Sequence, residues 1–222
     1  MMTIKIMVWI MLAVLVVGVM YVIFVALTDG RYFGKRLMNR IYDLIGPGIF
    51  SAQSEAERWQ ALAQHIQLRG DEKILDVGTA TGDLPLTIAG MPEFCGEVMG
   101  IDRSATMIAV ARKKAEEYGI GDRVRFEIVD VRSGLDNEMH EFDVIICLGL
   151  LETLSEAEDV LAGFVNGLKS SGVLVLSLYR GWAAVSVALS YDWYAAHLTK
   201  FGFQKLEVFP CRGNHDVVIA RR

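Results

Sequence analysis

Residues 75–83 read LDVGTATGD, and this stretch decides the fold. It overlaps the end of residues 73–77, Lys-Ile-Leu-Asp-Val, which predict a buried strand. It leads into residues 83–89, whose pattern predicts a helix that tolerates Pro85 in its first turn. Small residues at such a turn let the backbone approach a ligand at the carboxyl end of a parallel sheet. The stretch therefore predicts a ligand-binding turn in an α/β domain.

The remainder of the chain alternates helical and extended patterns, as α/β domains do. Further helices are predicted at about 54–68, 104–118, 155–168 and 192–201. The predicted strands are 73–77, 97–102, 124–129, 142–148, 173–178, 204–209 and 216–221. Two strands in succession at the end differ from the parallel sheet of a standard dinucleotide-binding domain.

Several local signals set the expected helix ends. Ser54 with Glu57, and Ser155 with Glu158, have the spacing of a capping box, and Gly70 is expected to end the first of these helices. Ser104 is an expected N-cap. Residues 46–48, Gly-Pro-Gly, predict short, broken helices in the segment before residue 50.

The turn departs from a dinucleotide fingerprint at two positions. That fingerprint needs G-x-G-x-x-G, but Ala80 occupies the second glycine position and Asp83 the third. A carboxylate at Asp83 is expected to repel a pyrophosphate on the helix N-terminus. Asp76 and Asp83 instead suit a ligand with an ammonium group and no phosphate, such as S-adenosylmethionine.

The segment Asp76–Gly82 resembles the first motif of the class I S-adenosylmethionine-dependent methyltransferases, approximately acid-x-G-x-G-x-G, with Ala80 at a position where many members tolerate a change. The resemblance covers about residues 40–222. It implies a Rossmann-like sheet of seven strands whose last strand is antiparallel, and S-adenosylmethionine as cofactor. The cofactor-binding residues it implies are Asp76, Gly78, Thr79, Ala80, Gly82, Asp102, Arg103, Met107, Asp130, Val131 and Leu148.

The same resemblance assigns roles to some of these residues. Asp102 is expected to bind the ribose hydroxyls, and Asp130 to accept from the adenine amino group while Val131 offers its backbone amide. Met107 is expected to pack on the adenine face, and Leu148 with Gly149 to line the methionine end. Taken singly, Asp102 and Asp130 could instead be ordinary acids at strand ends, and Met107 could be a core residue.

The uncharged stretch 7–27 precedes this domain. At about 1.5 Å per residue it matches a hydrocarbon core of about 30 Å, which predicts one transmembrane helix. A cleaved signal peptide and a buried helix are the alternatives, but the stretch lacks a convincing cleavage site near Ala26 and a polar stripe. The excess of cations after the stretch predicts a single pass with the C-terminal domain in the cytoplasm. These cations are Arg31, Lys35, Arg36 and Arg40.

Three parts are therefore expected: an anchor at 1–28, juxtamembrane and substrate-side helices at 29–69, and the cofactor-binding domain at 70–222. The basic cluster 31–40 either contacts anionic headgroups or only sets topology. The net charge of −5 argues against a general nucleic-acid binder.

The cysteines and histidines predict no chemistry of their own. The three cysteines are scattered and lack a C-x-x-C pair, so neither a disulfide nor a metal site is expected. The four histidines have no metal-ligand spacing, and His65 is expected to be solvated or to cap a helix.

Within the family, Thr81-Gly82-Asp83 and Ile41-Tyr42-Asp43 resemble segments of quinone C-methyltransferases and phospholipid N-methyltransferases. The expected activity is methyl transfer to a lipid or lipid-soluble acceptor in the bilayer. No catalytic residue is assigned, and the candidate bases are Tyr42, Asp43, Glu152 and Tyr179. The apolar segment 180–189 either lines the acceptor site or packs on the sheet. Alternative functions are a catalytically silent membrane adaptor and a nicotinamide-dependent reductase, the latter disfavoured by Asp83 and the final strands.

Overall fold

The structure is a computed structural model that describes residues 2–27, 34–52, 56–135, 139–180, 189–211 and 215–222. Its helices are α1 Met2–Leu27, α2 Lys35–Ala52, α3 Ala56–Ile66, α4 Asp83–Ala89, α5 Ala105–Glu117, α6 Ala157–Gly167 and α7 Tyr191–Lys200. Its strands are β1 Lys73–Val77, β2 Glu97–Asp102, β3 Val124–Ile128, β4 Phe142–Cys147, β5 Leu168–Tyr179, β6 Lys205–Phe209 and β7 His215–Arg221.

The strands form one seven-stranded sheet in the order β3-β2-β1-β4-β5-β7-β6. Strands β1 to β5 run parallel to one another, and β7 lies between β5 and β6 and is antiparallel to both. The expected Rossmann-like sheet with an antiparallel last strand is therefore confirmed. The chain order reverses between β1 and β4, and α/β sheets bind ligands at the carboxyl ends of the strands at such a reversal.

Helices cover both faces of the sheet, which explains why the central strands β4 and β5 contain apolar runs without alternation. The edge strand β3 instead alternates buried and more exposed residues. Along β1, Ile74 packs into the core cluster that also contains Leu62 and Ile108. The next residue, Leu75, packs into the opposite cluster with Leu161 and Tyr194. Helices α3, α4 and α5 thus cover one face, and α6 and α7 cover the other.

The breaks expected near Gly46-Pro47-Gly48 are absent, and this prediction was wrong: α2 runs continuously from Lys35 to Ala52 with Pro47 inside it. Proline removes one backbone hydrogen bond and crowds the carbonyl of Asp43, one turn earlier. The rest of α2 is held from outside the helix, because Met38 is buried and Asp43 is bonded to the following domain.

The helix-end predictions had mixed outcomes. Ser104 is the N-cap of α5 and accepts from the Met107 backbone N–H, as expected. Ser155 does not cap α6: its hydroxyl donates to the Glu156 carboxylate, and the helix begins after Glu156. Ser54 lies outside the described residues. α3 ends at Ile66, earlier than Gly70, because Gln67 takes a left-handed φ of 62°.

β5 is longer than predicted and begins at Leu168, directly after α6. Leu168 pairs with Phe142 of β4, and the register then shifts before Val144 pairs with Val173. Local periodicity did not indicate this extension because it depends on pairing with another strand.

α1 is a helix long and apolar enough to cross a membrane: residues Met7–Ala26 have a mean hydropathy of 2.9. All side chains from Met7 to Phe24 of α1 are exposed. Val25 is the exception, since it is fully buried, and a Cβ on Gly34 would lie 2.5 Å from its Cγ2. The C-terminal end of α1 therefore packs against the start of α2.

Candidate functional site

The turn after β1 is fixed to the end of β2 by backbone hydrogen bonds. The N–H groups of Gly78 and Thr79 both donate to the Ile101 carbonyl, at 2.9 and 3.0 Å. Ala80 adopts a φ of 48°, a left-handed conformation that is unfavourable for a residue with a Cβ. Its N–H donates to Asp102 Oδ2 at 3.0 Å, so the unusual conformation directs this amide to the carboxylate.

The two glycines of the turn have different functions. Gly78 has a φ of +77°, and a Cβ there would lie 3.0 Å from Leu150 Cδ2. Gly82 has a φ of +78°, but its Cβ would meet Phe126 at 2.6 Å and Ala111 at 2.9 Å. Gly78 therefore keeps the turn close to the β4 loop, whereas Gly82 allows close packing onto α5 and β3.

Asp102 lies at the carboxyl end of β2 with both carboxylate oxygens bonded to backbone. Oδ2 accepts from Ala80 N–H, and Oδ1 accepts from Ser104 N–H at 2.9 Å. Burial raises the pKa of Asp102 above its ordinary value, although these two hydrogen bonds oppose the change. Each oxygen can accept a further bond, so the group can still receive two hydroxyl donors.

Asp130 and Arg132 form an ion pair at the end of β3. The Arg132 backbone N–H and Nε donate to Asp130 Oδ1 at 3.1 and 2.8 Å. The side-chain hydrogen bond from Arg132 lowers the pKa of Asp130, which keeps it ionised as an acceptor. Val131 beside it and Met107 from α5 are almost fully buried.

These groups surround one cavity at the carboxyl ends of β1, β2, β3 and β4. Its lining includes Val77, Gly78, Ala80, Ile101, Asp102, Arg103, Ser104, Met107, Val129, Asp130, Val131, Arg132, Leu148, Gly149, Leu150, Thr153 and Leu154. Eight of the predicted cofactor residues line it: Gly78, Ala80, Asp102, Arg103, Met107, Asp130, Val131 and Leu148. The other three, Asp76, Thr79 and Gly82, are not part of this lining.

Residues 68–205, more than half of the chain, match the model of a family described as a methyltransferase domain. The chain belongs to the class I S-adenosylmethionine-dependent methyltransferases. The cofactor of this family, S-adenosylmethionine, is therefore the group against which the cavity is tested.

Two curated relatives of this methyltransferase act on different acceptors according to their names. A ubiquinone biosynthesis O-methyltransferase of Pasteurella multocida is 29% identical over 60% of this chain and 59% of its own length. A phosphatidylethanolamine N-methyltransferase of Cereibacter sphaeroides is 32% identical over 57% of this chain and 59% of its own. The chain thus spans about three fifths of each relative.

The fold is also found in solved structures. Magnesium protoporphyrin IX methyltransferase from Synechocystis, solved with S-adenosylmethionine bound, superposes with a TM-score of 0.62. The two chains are 19% identical, and the match covers 76% of this chain and 80% of the other.

The residues of the cavity fit S-adenosylmethionine. Asp102 retains acceptor capacity for two ribose hydroxyls, and Asp130 is held as an ionised acceptor suited to the adenine amino group. Met107 offers an apolar surface for the adenine face, and Leu148 with Gly149 lines the methionine end. Gly78 lets the backbone come close, because any side chain there would fill space against Leu150.

The predicted interaction of Asp83 with the cofactor was wrong. Lys114 Nζ donates to Asp83 Oδ1 at 2.8 Å, and Thr81 Oγ1 donates to Asp83 Oδ2 at 2.9 Å. Asp83 is outside the cavity lining, and Lys114 neutralises its charge, so the repulsion argument against a pyrophosphate loses its basis. Lys114 lies 31 positions after Asp83, so the residues around Asp83 do not indicate this ion pair.

Asp76 is buried behind the turn, with 5% of its surface exposed. Burial raises the pKa of Asp76 to about 7, and the nearby Asp102 adds to the effect. Its carboxylate can act on a bound ammonium only from beneath the turn, since it is outside the cavity lining.

The sequence predicted substrate-side helices at 29–69 with Tyr42 as a candidate base, but the prediction did not include Lys35, Met38 and Asn39 in the cavity lining. Lys35, Met38, Asn39 and Tyr42 line the cavity from the side opposite the sheet. Their spacing at i, i+3, i+4 and i+7 marks one helical face, and this signal was available in the sequence. The expected break at Gly46-Pro47-Gly48 obscured it.

The four candidate bases occupy different positions relative to the cavity. Tyr42 lines the cavity. Asp43 accepts from Ser104 Oγ at 2.7 Å outside it, and Tyr179 Oη lies 3.4 Å from the Cβ position of Gly149. Glu152 is buried beneath the cavity, where it accepts from Ser177 Oγ at 2.7 Å. Of these four, Tyr42 is placed to reach an acceptor.

A buried hydrogen-bond chain supports the cavity wall at Gly149. The Gly149 N–H donates to Ser177 Oγ at 2.9 Å, and Ser177 Oγ donates to Glu152. Cys147 and Tyr194 lie in the same core, and burial raises the pKa of the Cys147 thiol well above its ordinary value. This thiol is therefore protonated and structural.

The remaining predictions concern groups outside the cavity. Cys95, Cys147 and Cys211 are free thiols, and the described residues contain no cluster able to hold a metal ion. His65 is partly exposed, with 33% of its side-chain surface accessible, and it hydrogen-bonds Glu207 at 2.9 Å and stacks on Phe209. Most of the apolar segment 180–189 lies outside the described residues.

Proposed function

We propose that this protein is a membrane-anchored methyltransferase that transfers a methyl group from S-adenosylmethionine to a lipid or lipid-soluble acceptor. The helix α1 is the single transmembrane anchor, and the catalytic domain faces the cytoplasm. The acceptor is an aminophospholipid headgroup or a quinone-like ring. The two curated relatives support these acceptor classes, because their names specify ubiquinone biosynthesis and phosphatidylethanolamine.

One observation carries this proposal: the cavity is completed by α2, and the start of α2 packs against the end of α1. Lys35 and Tyr42 line the cavity, while Gly34, directly before α2, packs on Val25 of α1. A span placed in a bilayer would therefore hold the cavity at the membrane surface. Anchoring of this kind raises the local concentration of a lipid acceptor without any new contact.

Methyl transfer requires little of the protein beyond positioning the methyl donor and the acceptor. Bound S-adenosylmethionine supplies an electrophilic methyl carbon on its sulfonium. The residues of this chain fix the geometry of an in-line displacement and exclude water. Where the acceptor must lose a proton, Tyr42 is the candidate base: its side chain lines the cavity on the α2 side, and the proton goes to its phenolate oxygen.

The orientation rests on the distribution of charge. Arg31, Lys35, Arg36 and Arg40 follow the apolar stretch, whereas Lys5 is the cationic side chain before it. Cations concentrate on the cytoplasmic side of membrane spans. The catalytic domain would then meet S-adenosylmethionine in the cytoplasm.

Calorimetric binding of S-adenosylhomocysteine to the full-length protein in detergent tests the cofactor site. Asp102→Ala removes both carboxylate oxygens and is expected to weaken binding by at least tenfold, since hydrogen bonds to a charged group contribute about 1.5–3 kcal/mol each. Asp122→Ala, at an exposed position on the opposite edge, is the matched control. Equal affinity of the Asp102 variant and the parent protein would contradict the assigned site.

Transfer of a radiolabelled methyl group into phosphatidylethanolamine or quinone vesicles tests the acceptor. We expect one of these classes to be methylated by the full-length protein. Deleting residues 1–27 should preserve S-adenosylhomocysteine affinity and lower turnover on vesicles. Equal turnover with and without these residues would refute the anchoring role.

A catalytically silent membrane adaptor that keeps the cofactor-binding fold is the second candidate. It predicts S-adenosylhomocysteine binding without methyl transfer to any lipid class. The intact lining of the cavity, including Asp102 and Asp130, favours the enzyme.

A further inference from the structure

The outward face of α2 is apolar and exposed. Leu44 is 81% exposed and Ile45 54%. Leu37 and Ile41 are partly exposed and lie on the same side at helical spacing. Large apolar side chains exposed side by side on one helix mark an interaction surface. We call Leu37, Ile41, Leu44 and Ile45 the apolar face of α2.

The other side of α2 is committed to the domain. Met38 is buried and, with Tyr42, lines the cofactor cavity. Asp43 is hydrogen-bonded to Ser104, and Lys35 lies 4.0 Å from Glu156. The apolar face therefore cannot turn inward without breaking these contacts.

Charge next to the apolar face indicates what covers it. Arg36 and Arg40 are exposed and lie one turn apart beside Leu37 and Leu44. Cations bordering an apolar helical stripe suit a bilayer interface, where the stripe enters the acyl boundary and the cations contact anionic headgroups.

The position of α1 also indicates that a membrane covers the apolar face of α2. α1 is apolar along Met7–Ala26, and its end is joined to the start of α2 by the contact of Val25 with Gly34. If α1 spans a bilayer, its C-terminal end lies at the membrane surface. α2 then begins at this surface with an exposed apolar face of its own.

We propose that α2 is an interfacial helix that lies in the plane of the membrane, with its apolar face in the acyl boundary and its opposite face covering the cofactor cavity. The acceptor then enters from the leaflet past Tyr42 and does not cross bulk water. This inference rests on the proposed function, since it assumes that α1 is the anchor.

Site-directed fluorescence in lipid vesicles tests the position of α2. A bimane label at Leu44→Cys or Ile45→Cys, in full-length protein carrying Cys95→Ser, is quenched by lipids with a nitroxide on the acyl chain if α2 lies in the interface. Cys95→Ser is needed because Cys95 is the exposed native thiol, whereas Cys147 and Cys211 are buried. Ala26→Cys is the positive control in α1, and Tyr118→Cys, 63% exposed at the end of α5, is the negative control.

We expect quenching at positions 44, 45 and 26, and none at position 118. Quenching at 26 without quenching at 44 and 45 would overturn the interfacial helix while leaving the anchor intact. Protection of position 44 from aqueous iodide without lipid quenching would also overturn it, because a protein partner would then cover the face.

A functional measurement separates this inference from the proposed function. Leu44→Glu combined with Ile45→Glu is expected to lower methyl transfer into vesicles at least tenfold, because charged side chains are costly in the acyl boundary. Affinity for S-adenosylhomocysteine and transfer to detergent-dispersed acceptor should stay unchanged. Tyr118→Glu is the matched control. Unchanged vesicle activity of the double variant would overturn the inference. If the parent protein itself transfers no methyl group to any acceptor, the proposed function is refuted.

Discussion

The hydroxyl of Ser104 donates a hydrogen bond to Asp43 Oδ1 at 2.7 Å, which joins the N-cap of α5 to α2. The same hydroxyl accepts from the Met107 N–H at 3.3 Å, and the Ser104 backbone N–H donates to Asp102. One residue thus connects α2 with Asp102 and Met107, which line the cofactor cavity. Movement of α2 and occupancy of this cavity should therefore be coupled.

Asp43→Ala is expected to loosen α2 from the domain. A hydrogen bond to a charged group contributes about 1.5–3 kcal/mol, so amide exchange in α2 should accelerate by about tenfold or more. Affinity for S-adenosylhomocysteine should fall more modestly, since Ser104 keeps its capping bond to Met107. Hydrogen exchange with mass spectrometry, with and without S-adenosylhomocysteine, measures both effects.

Asp43→Asn is the matched variant because its amide oxygen can still accept from Ser104. It should retain most of the protection of α2. Unaltered exchange in Asp43→Ala would show that α2 is held by its other contacts.

Gly78→Ala is expected to reduce both stability and cofactor affinity. The substitution adds strain at a φ of +77° and places a Cβ 3.0 Å from Leu150 in the cavity wall. Gly119→Ala is the control, since Gly119 has a φ of +68° with no atom within 4 Å of its Cβ position. Left-handed strain costs about 1–2 kcal/mol at either position, but only Gly78→Ala should weaken S-adenosylhomocysteine binding.

Denaturant unfolding and calorimetry on the two variants give the comparison. Adding Leu150→Ala to Gly78→Ala removes the contact with Cδ2 at 3.0 Å but leaves the Leu150 Cβ at 3.1 Å, so only part of the lost stability should return. Equal affinity of the Gly78 and Gly119 variants would argue against a close approach of ligand or Leu150 at Gly78.

Ser177→Ala should destabilise the domain by about 1–3 kcal/mol, because it removes the buried acceptor of the Gly149 N–H and the Ser177 hydrogen bond to Glu152. Ser170→Ala, at an exposed position of the same strand, should change stability by less than about 0.5 kcal/mol. Urea unfolding measures the difference. A Ser177 variant as stable as the Ser170 variant would mean that water or a shifted side chain replaces the hydroxyl.

The raised pKa of Asp76 makes a prediction about pH. Its pKa rises from 3.8 to about 7 in the folded protein because the carboxyl is buried. Between these values the native state binds more protons than the unfolded state, so the contribution of Asp76 to the free energy of unfolding falls as pH rises to about 7. The total change is at most about 4 kcal/mol.

Asp76→Asn removes this titration. The stability of the variant relative to the parent protein should therefore increase from pH 5 to pH 8, as followed by urea unfolding at each pH. Asp122→Asn, at an exposed site, should show a constant difference. A constant difference for Asp76→Asn as well would mean that Asp76 is ionised throughout this range.

Local patterns predicted the central part of the fold well. The bounds of β1, α4 and β2 agree with the structure because a buried strand, a small-residue turn and a helix with proline in its first turn each have a short-range signature. The antiparallel closing strand was available only through resemblance to the family, since strand order depends on pairing between distant segments.

Two of the failed predictions, the role of Asp83 and the break in α2, share one cause. Lys114 neutralises Asp83 from 31 positions away, and Asp43 holds α2 to Ser104 from 61 positions away. The residues next to Asp83 predict a ligand contact there, and the local sequence Gly46-Pro47-Gly48 predicts a break in the helix. Tertiary contacts outweighed the local preference in each case.

The sequence by itself determined the strand-turn-helix unit, the family and the apolar helix, because these follow from the order and spacing of neighbouring residues. Only the tertiary structure decided that Gly82 is a packing residue, that Asp76 lies behind the turn, and that α2 completes the cavity. Burial and side-chain pairing depend on which distant segments meet in the fold, and this meeting places the cofactor cavity beside the end of α1.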